Sequence, residues 1–147
     1  MSGAAITLET ADDETLPYVE ALLEDTGLPS SDVRSNPGRF YVAYDGGERV
    51  GIGGVEDYGS VGLLRSVVVE RPARGAGLGT AVCDRLEVAA AEDGVRTLYL
   101  LTTTARGFFA DRGYVAIDRG EAPADVRGTA EFTDLCPESA TCMRKRL

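Results

Sequence analysis

The reading of the fold turns on one stretch, Val67-Val68-Val69-Glu70-Arg71-Pro72-Ala73-Arg74-Gly75-Ala76-Gly77-Leu78-Gly79-Thr80. Val67, Val68 and Val69 end a strand predicted over residues 61–69 and are apolar on both faces, as a strand buried from both sides must be. After a short turn, Leu78, Val82, Leu86, Ala89 and Ala90 recur at helical spacing, with Asp84, Arg85 and Glu87 turned away from them. That pattern predicts a helix over residues 78–92, closed by Gly94. The glycines between strand and helix let main-chain amides converge without obstruction from a Cβ. Those amides open a helix, where partial positive charge suits an anionic diphosphate. Arg74 adds a charge-assisted donor and Thr80 a hydroxyl, so Arg74, Gly75, Ala76, Gly77, Leu78, Gly79 and Thr80 form a candidate phosphate cradle.

Two familiar phosphate loops fail here. A P-loop requires Lys followed by Ser or Thr, whereas Gly79 is followed directly by Thr80. A dinucleotide fingerprint requires an acidic residue at the end of the next strand, and that strand runs out into Thr102, Thr103 and Thr104.

Working outward, residues 5–10 alternate as a first strand. Asp12, Asp13 and Glu14 favour the start of a helix whose apolar stripe is Leu16, Val19, Leu22 and Leu23, and Gly27-Leu28-Pro29 stops it. Residues 39–44 and 50–55 form a hairpin about Asp45-Gly46-Gly47. Gly51, Gly53 and Gly54 leave its second strand bare, open to the close approach of a neighbouring chain or a ligand. Beyond the central helix come a buried strand at 97–101, a short helix at 105–112 ended by Gly113, a strand at 114–117, a polar segment at 121–138 and a last strand at 141–146. This order indicates a single domain, residues 1–147, of α+β or mixed α/β class about one central sheet.

Composition narrows the function. The chain has 147 residues, 44% hydrophobic and 27% charged, which suits one globular domain. It carries 24 acidic against 15 basic residues, a net charge of −9 that repels nucleic acid. Apart from Lys145 every basic residue is arginine. No apolar run is long enough to span a bilayer, and no signal segment opens the chain, so no membrane partner is expected and the cytoplasm is the expected location. There is no histidine, which excludes histidine triads and histidine acid–base catalysis. Cys83, Cys136 and Cys142 form no CxxC pair, and no metal is expected. Cys83 falls on the helix as packing, and the closeness of Cys136 to Cys142 leaves a soft-metal or arsenite site open.

Arg74, Gly77 and Gly79, read as R-x-x-G-x-G after an apolar strand, resemble the acetyl-CoA loop of the GNAT superfamily of N-acetyltransferases. Ala105-Arg106-Gly107-Phe108-Phe109-Ala110-Asp111-Arg112-Gly113-Tyr114 resembles that family's A-x-x-F-Y-x-x-x-G-F helix and turn, in the right order and spacing. The resemblance implies a mixed, mostly antiparallel sheet splayed between two central parallel strands and flanked by helices. It implies acetyl-CoA as co-substrate and no metal. Pantetheine would pair with the main chain of Val67, Val68 and Val69, a cofactor acting as an added strand. The diphosphate would lie on residues 74–80 and the thioester near Thr102 and Phe108.

A closer resemblance lies in Gly62-Leu63-Leu64-Arg65-Ser66-Val67, Leu98-Tyr99-Leu100-Leu101-Thr102-Thr103-Thr104 and Thr129-Ala130-Glu131-Phe132-Thr133-Asp134-Leu135-Cys136-Pro137. These are similar to the GNAT subgroup associated with arsenic resistance and, more distantly, to short amino-acid N-acetyltransferases. The acceptor implied is a small, amino-acid-like amine, with an arsenic- or phosphorus-containing amino acid among the candidates. A homodimer is left open.

Individual residues carry alternatives. Phe109 stands where many GNAT enzymes place a tyrosine that protonates the leaving thiolate, so Thr103, Thr104 or water would take that role. Tyr114 reads as a packed aromatic. Glu56 is the candidate base for the acceptor amine, against a reading as a solvated turn carboxylate; Tyr58 is a second candidate. Arg65, with Ser66 beside it, requires a partner in so apolar a strand: an ion pair with Glu56, or the oxyanion of an acidic acceptor. Arg127 and Arg34 lie on polar loops, as possible acceptor contacts or as solvated surface. Direct ternary-complex transfer is expected, since no nucleophile stands beside a base. The competing functions are a protein or peptide N-terminal acetyltransferase and a non-catalytic acyl-CoA sensor.

Overall fold

A computed structural model describes residues 6–28, 30, 33–35, 39–70, 77–129, 132–133 and 139–147. The strands are β1 (Ile6–Thr10), β2 (Phe40–Asp45), β3 (Glu48–Tyr58), β4 (Val61–Val69), β5 (Thr97–Thr102), β6 (Val115–Ile117) and β7 (Thr141–Arg146). They form one mixed sheet in the order β1-β2-β3-β4-β5-β7-β6. The helices are α1 (Leu16–Thr26), α2 (Leu78–Glu92), α3 (Arg106–Asp111) and α4 (Ala124–Arg127). Two compact units share these elements: residues 1–55 with 66–89, and residues 56–65 with 90–147.

In the first unit, the acidic run stands directly before α1. Asp12 turns back on the chain, accepting the amides of Glu14 and Thr15 at 3.0 Å each, and the helix starts at Leu16. These contacts, the Thr15 amide foremost, hold the Asp12 carboxyl below its ordinary range. Gly27, at φ +73°, ends the helix, and the Leu28 amide reaches back to the Leu23 carbonyl at 2.9 Å. The predicted stripe is buried at Leu16, Val19 and Leu23, against Phe40, Val42, Ile52 and Val68.

The β2–β3 turn places Gly46 and Gly47 at φ +61° and +93°, the pair of positive angles a tight hairpin turn demands. The bare glycines of β3 serve packing. A Cβ on Gly51 would lie 2.3 Å from the Val68 carbonyl oxygen, and one on Gly53 would lie 2.4 Å from Leu86 of α2. Of the two approaches open from sequence, the structure shows that of neighbouring chain segments.

In the second unit, β5 pairs antiparallel with β7 along its whole length, Thr97↔Arg146 to Thr102↔Thr141. Its parallel ladder with β4 covers only Val61–Leu63 against Thr97–Tyr99. A core of Leu63, Tyr99, Ala122 and Val126 closes one face, with Val61, Ile117 and Phe132 packed on it. The polar segment after β6 holds a 3-10 turn at Arg119–Glu121 and the single turn α4, too short to show helical periodicity.

Candidate functional site

In the first unit, by itself, the candidate residues offer main chain. Val68 is buried, with Val67 and Val69 partly so. Glu70, at the exit of β4, is held twice: its amide donates to the Val50 carbonyl at 2.8 Å, and its carboxylate accepts the Tyr18 hydroxyl. The Arg49 guanidinium lies 4.9 Å from the centre of the Tyr18 ring. Burial, then the Glu70 bond, raises the Tyr18 phenol well above its usual value, so it stays protonated. This anchor was not foreseen, because Tyr18 and Glu70 are 52 residues apart and neither carries a motif.

Arg74, Gly75 and Ala76 of the predicted cradle lie outside the described residues. At the near end of α2, Gly77 adopts φ +76° with open space where a Cβ would stand, and its carbonyl accepts the Ala81 amide at 3.1 Å. Leu78 is buried, Gly79 is half-buried and Thr80 exposed. The glycine at 77 therefore answers a conformational demand, not a packing one.

Ser66 is the only non-glycine residue with positive φ among the described residues, at +61°, and it is buried. Such a conformation costs about 1–3 kcal/mol and persists only where surroundings enforce it. It falls between Arg65 and the valine run, at the middle of β4.

In the second unit, by itself, the candidate residues offer side chains. Glu56 and Arg65 are only 6% and 4% exposed, and Arg65 Nη1 donates to Glu56 Oε2 at 3.0 Å. The Tyr58 hydroxyl donates to the other oxygen, Oε1, at 2.5 Å. Glu56 is thus no solvated turn carboxylate. A buried charge of this kind demands its partner, since removing one member of a buried pair costs about 3–5 kcal/mol.

The threonines that follow β5 divide. Thr102 Oγ1 accepts the Ala105 amide at 2.9 Å, fixing the turn into α3, whereas Thr103 and Thr104 are exposed. Phe109 is buried, edge-on to Phe108 at 5.1 Å and to Tyr114 at 5.4 Å, so this helix presents no phenol where the family often has one. Phe108 is 37% exposed. Arg127 Nε donates to the Ala122 carbonyl at 2.9 Å, bracing its own turn. Arg34 forms a two-pronged pair with Glu20 at 2.9 and 2.8 Å on the first unit.

Cys83 is fully buried in α2. Cys136 lies outside the described residues, and burial pushes the Cys142 thiol up to about 11, which opposes thiolate formation. Among the described residues no helix is long and apolar enough to cross a membrane.

A family model described as the GNAT acetyltransferase domain matches residues 36–116, more than half of the sequence. The chain belongs to this family. Comparison with curated proteins gives no match. Among solved structures, the N-acetylglutamate synthase of Neisseria gonorrhoeae, complexed with coenzyme A and N-acetyl-glutamate, superposes with a TM-score of 0.81 at 20% identity over 97% of this chain and 35% of that one. The chain spans about a third of that enzyme's length. Rv2747 of Mycobacterium tuberculosis, in complex with CoA, gives 0.78 at 24% identity, over 96% and 99% of the two chains. Arabidopsis thaliana Naa50, in complex with a bisubstrate analogue, gives 0.66 at 16% identity, over 97% and 99%. At these identities the likeness is one of fold: a mixed sheet flanked by helices, as the sequence resemblance implied.

Proposed function

We propose that the chain works as one domain, in the cytoplasm, as an acetyl-CoA-dependent N-acetyltransferase that acetylates the amine of a small, amino-acid-like molecule by direct transfer. The observation that carries this reading is the acetyltransferase family match over residues 36–116, which takes in the whole stretch from Val67 to Thr80. An amino-acid-like acceptor is supported by the fold likeness to an enzyme complexed with N-acetyl-glutamate.

In this reading the amides and side chains of residues 74–80 hold the diphosphate, and the main chain of Val67, Val68 and Val69 pairs with pantetheine. A main-chain N–H of that strand polarises the thioester carbonyl. Thr102 and Phe108 border the acyl end. Glu56 takes a proton from the acceptor ammonium, directly or through water. The neutral amine attacks the carbonyl carbon, the nitrogen of the tetrahedral intermediate gives up its second proton to water, and the C–S bond breaks as that intermediate collapses to the amide. The departing thiolate takes a proton from Thr103, which regains one from solvent, or from water itself; at a thiol pKa of about 8.5 the demand is modest. Arg65, Ser66 and Arg127 orient the acceptor. No metal is needed for these steps, and a homodimer is compatible with them.

Peptide N-terminal acetylation is the second reading, supported by the weaker likeness to Naa50. Thiol release from acetyl-CoA, followed across amino acids, simple amines and peptides, tests both. Turnover on amino acids is expected, and arsenic- and phosphorus-containing amino acids on the same panel test the arsenic-resistance subgroup. Turnover on peptides alone would favour the second reading, and tight CoA binding with no turnover would favour a sensor. Glu56→Gln is expected to lower kcat at least tenfold; full activity would remove Glu56 as the base.

A further inference from the structure

Three consecutive cations, Arg144, Lys145 and Arg146, end β7 in a chain whose net charge is −9. Within the second unit they border a groove of about 350 Å³, shared with Thr97, Tyr99 and Val115. The register explains how they come together. Arg146 is opposite Thr97 and Arg144 is opposite Tyr99 on β5, while Val115 is opposite Arg144 on β6. Cross-strand partners share a face, so both guanidinium groups rise from one side of the sheet. Two residues apart on a strand, their Cα atoms are separated by roughly 6.5 Å.

Neither Arg144 nor Arg146 forms an ion pair among the described residues, and both are exposed. The Lys145 ammonium stands 5.5 Å from the centre of the Tyr114 ring. β6 begins only at Val115, because the Gly113 and Tyr114 amides are spent on Ala110 and Phe109 of α3. On the inner side, the Leu147 amide donates to the Arg96 carbonyl at 2.8 Å. Strand amides alternate in direction, so the Arg146 amide faces away from β5. Arg144, Arg146 and Thr97 thus border one concave place. Like charges held this close repel each other, and an anion between them reverses that repulsion.

We propose that this groove binds a small multivalent oxyanion, a phosphorylated compound or a dicarboxylate. Thr97 and Thr102 stand at opposite ends of β5, roughly 16 Å apart, so the site is separate from the acyl end assigned above. It does not depend on the acetyl-CoA reading.

The test is a residue-resolved NMR titration of the full chain with inorganic pyrophosphate and, separately, with glutarate, in excess CoA. Shifts at the Thr97, Val115 and Arg146 amides are expected, with the tighter probe naming the source of the oxyanion. The double variant Arg144→Gln/Arg146→Gln is expected to weaken binding tenfold or more, with CoA affinity unchanged within twofold. Arg144→Lys/Arg146→Lys should fall between, because the charge is kept and the planar fork lost. Should the double glutamine variant unfold, Arg146→Gln alone, at the exposed strand end, must still weaken pyrophosphate at least threefold. Shifts confined to residues 77–80, or an unchanged affinity in the folded variants, would overturn the proposal. Loss of CoA binding in the wild type would instead count against the acetyltransferase reading alone.

Discussion

The described residues 66–70 and 77–78 and the pair Glu56–Arg65 are held in place by different means in adjoining parts of one sequence. The first works through main chain: a positive φ at Ser66, another at Gly77, and a strand end pinned at Glu70. The second works through side chains, with one buried carboxylate between a guanidinium and a phenol. Main-chain chemistry constrains residue type by shape, so it tolerates substitution until a Cβ or an angle forbids it. Side-chain chemistry constrains it by charge, where a single change leaves an ion stranded.

Substitutions should separate the two. The largest effect is expected from Arg65→Ala, which leaves Glu56 buried without its cation and should lower unfolding free energy by about 3–5 kcal/mol in urea titration. Replacing both members by apolar residues of similar size should recover most of that loss. If Arg65→Ala proves as stable as the wild type, the ion pair is not what the geometry indicates.

Next comes Gly51→Ala. Its Cβ would meet a main-chain oxygen at 2.3 Å, which only a backbone shift relieves, and a loss of about 1–3 kcal/mol is expected. Gly53→Ala should lose less, although its contact is nearly as short at 2.4 Å, because the Leu86 side chain can rotate away. Equal losses would mean that β3 and Leu86 are equally rigid.

Gly77→Ala meets no atom, and its penalty is purely the left-handed backbone, about 1–2 kcal/mol. Its signature should be weaker CoA binding, by fivefold or more, at modest loss of stability. The reverse pattern would make Gly77 a packing residue.

The smallest effect concerns pH. The Asp12 carboxyl is depressed in the folded chain, so its stabilisation is complete above its unfolded pKa of about 3.9 and fades as pH falls through the lower folded value. Asp12→Asn should therefore lower Tm slightly at pH 7 and not at all at pH 2. A difference that persists at pH 2 would show a role for Asp12 other than its charge.

The sequence made the main-chain half of the candidate site readable, because glycine spacing and a doubly apolar strand leave marks in the chain itself. Helix α2 and strands β4 and β7 agree with their expected bounds for the same reason, having strong periodicity or a sharp change in composition. The start of α1 was legible too, with Asp12, Asp13 and Glu14 just before it and the apolar stripe opening at Leu16. The side-chain half was half readable. Burial of Arg65 in an apolar run demanded a partner and named Glu56 as one choice, but could not decide between it and a substrate. Tyr58 on Glu56, Tyr18 on Glu70, and the basic groove left no pattern, since each depends on strand register or on contacts distant in sequence.

The account depends most on coenzyme A binding, and calorimetric titration of CoA into the full chain measures it directly. Saturable one-site binding with micromolar affinity, weakened by Gly77→Ala and untouched by Arg144→Gln/Arg146→Gln, is the predicted result. A chain that is folded, releases no heat with CoA or acetyl-CoA, and liberates no thiol with any amine would contradict it.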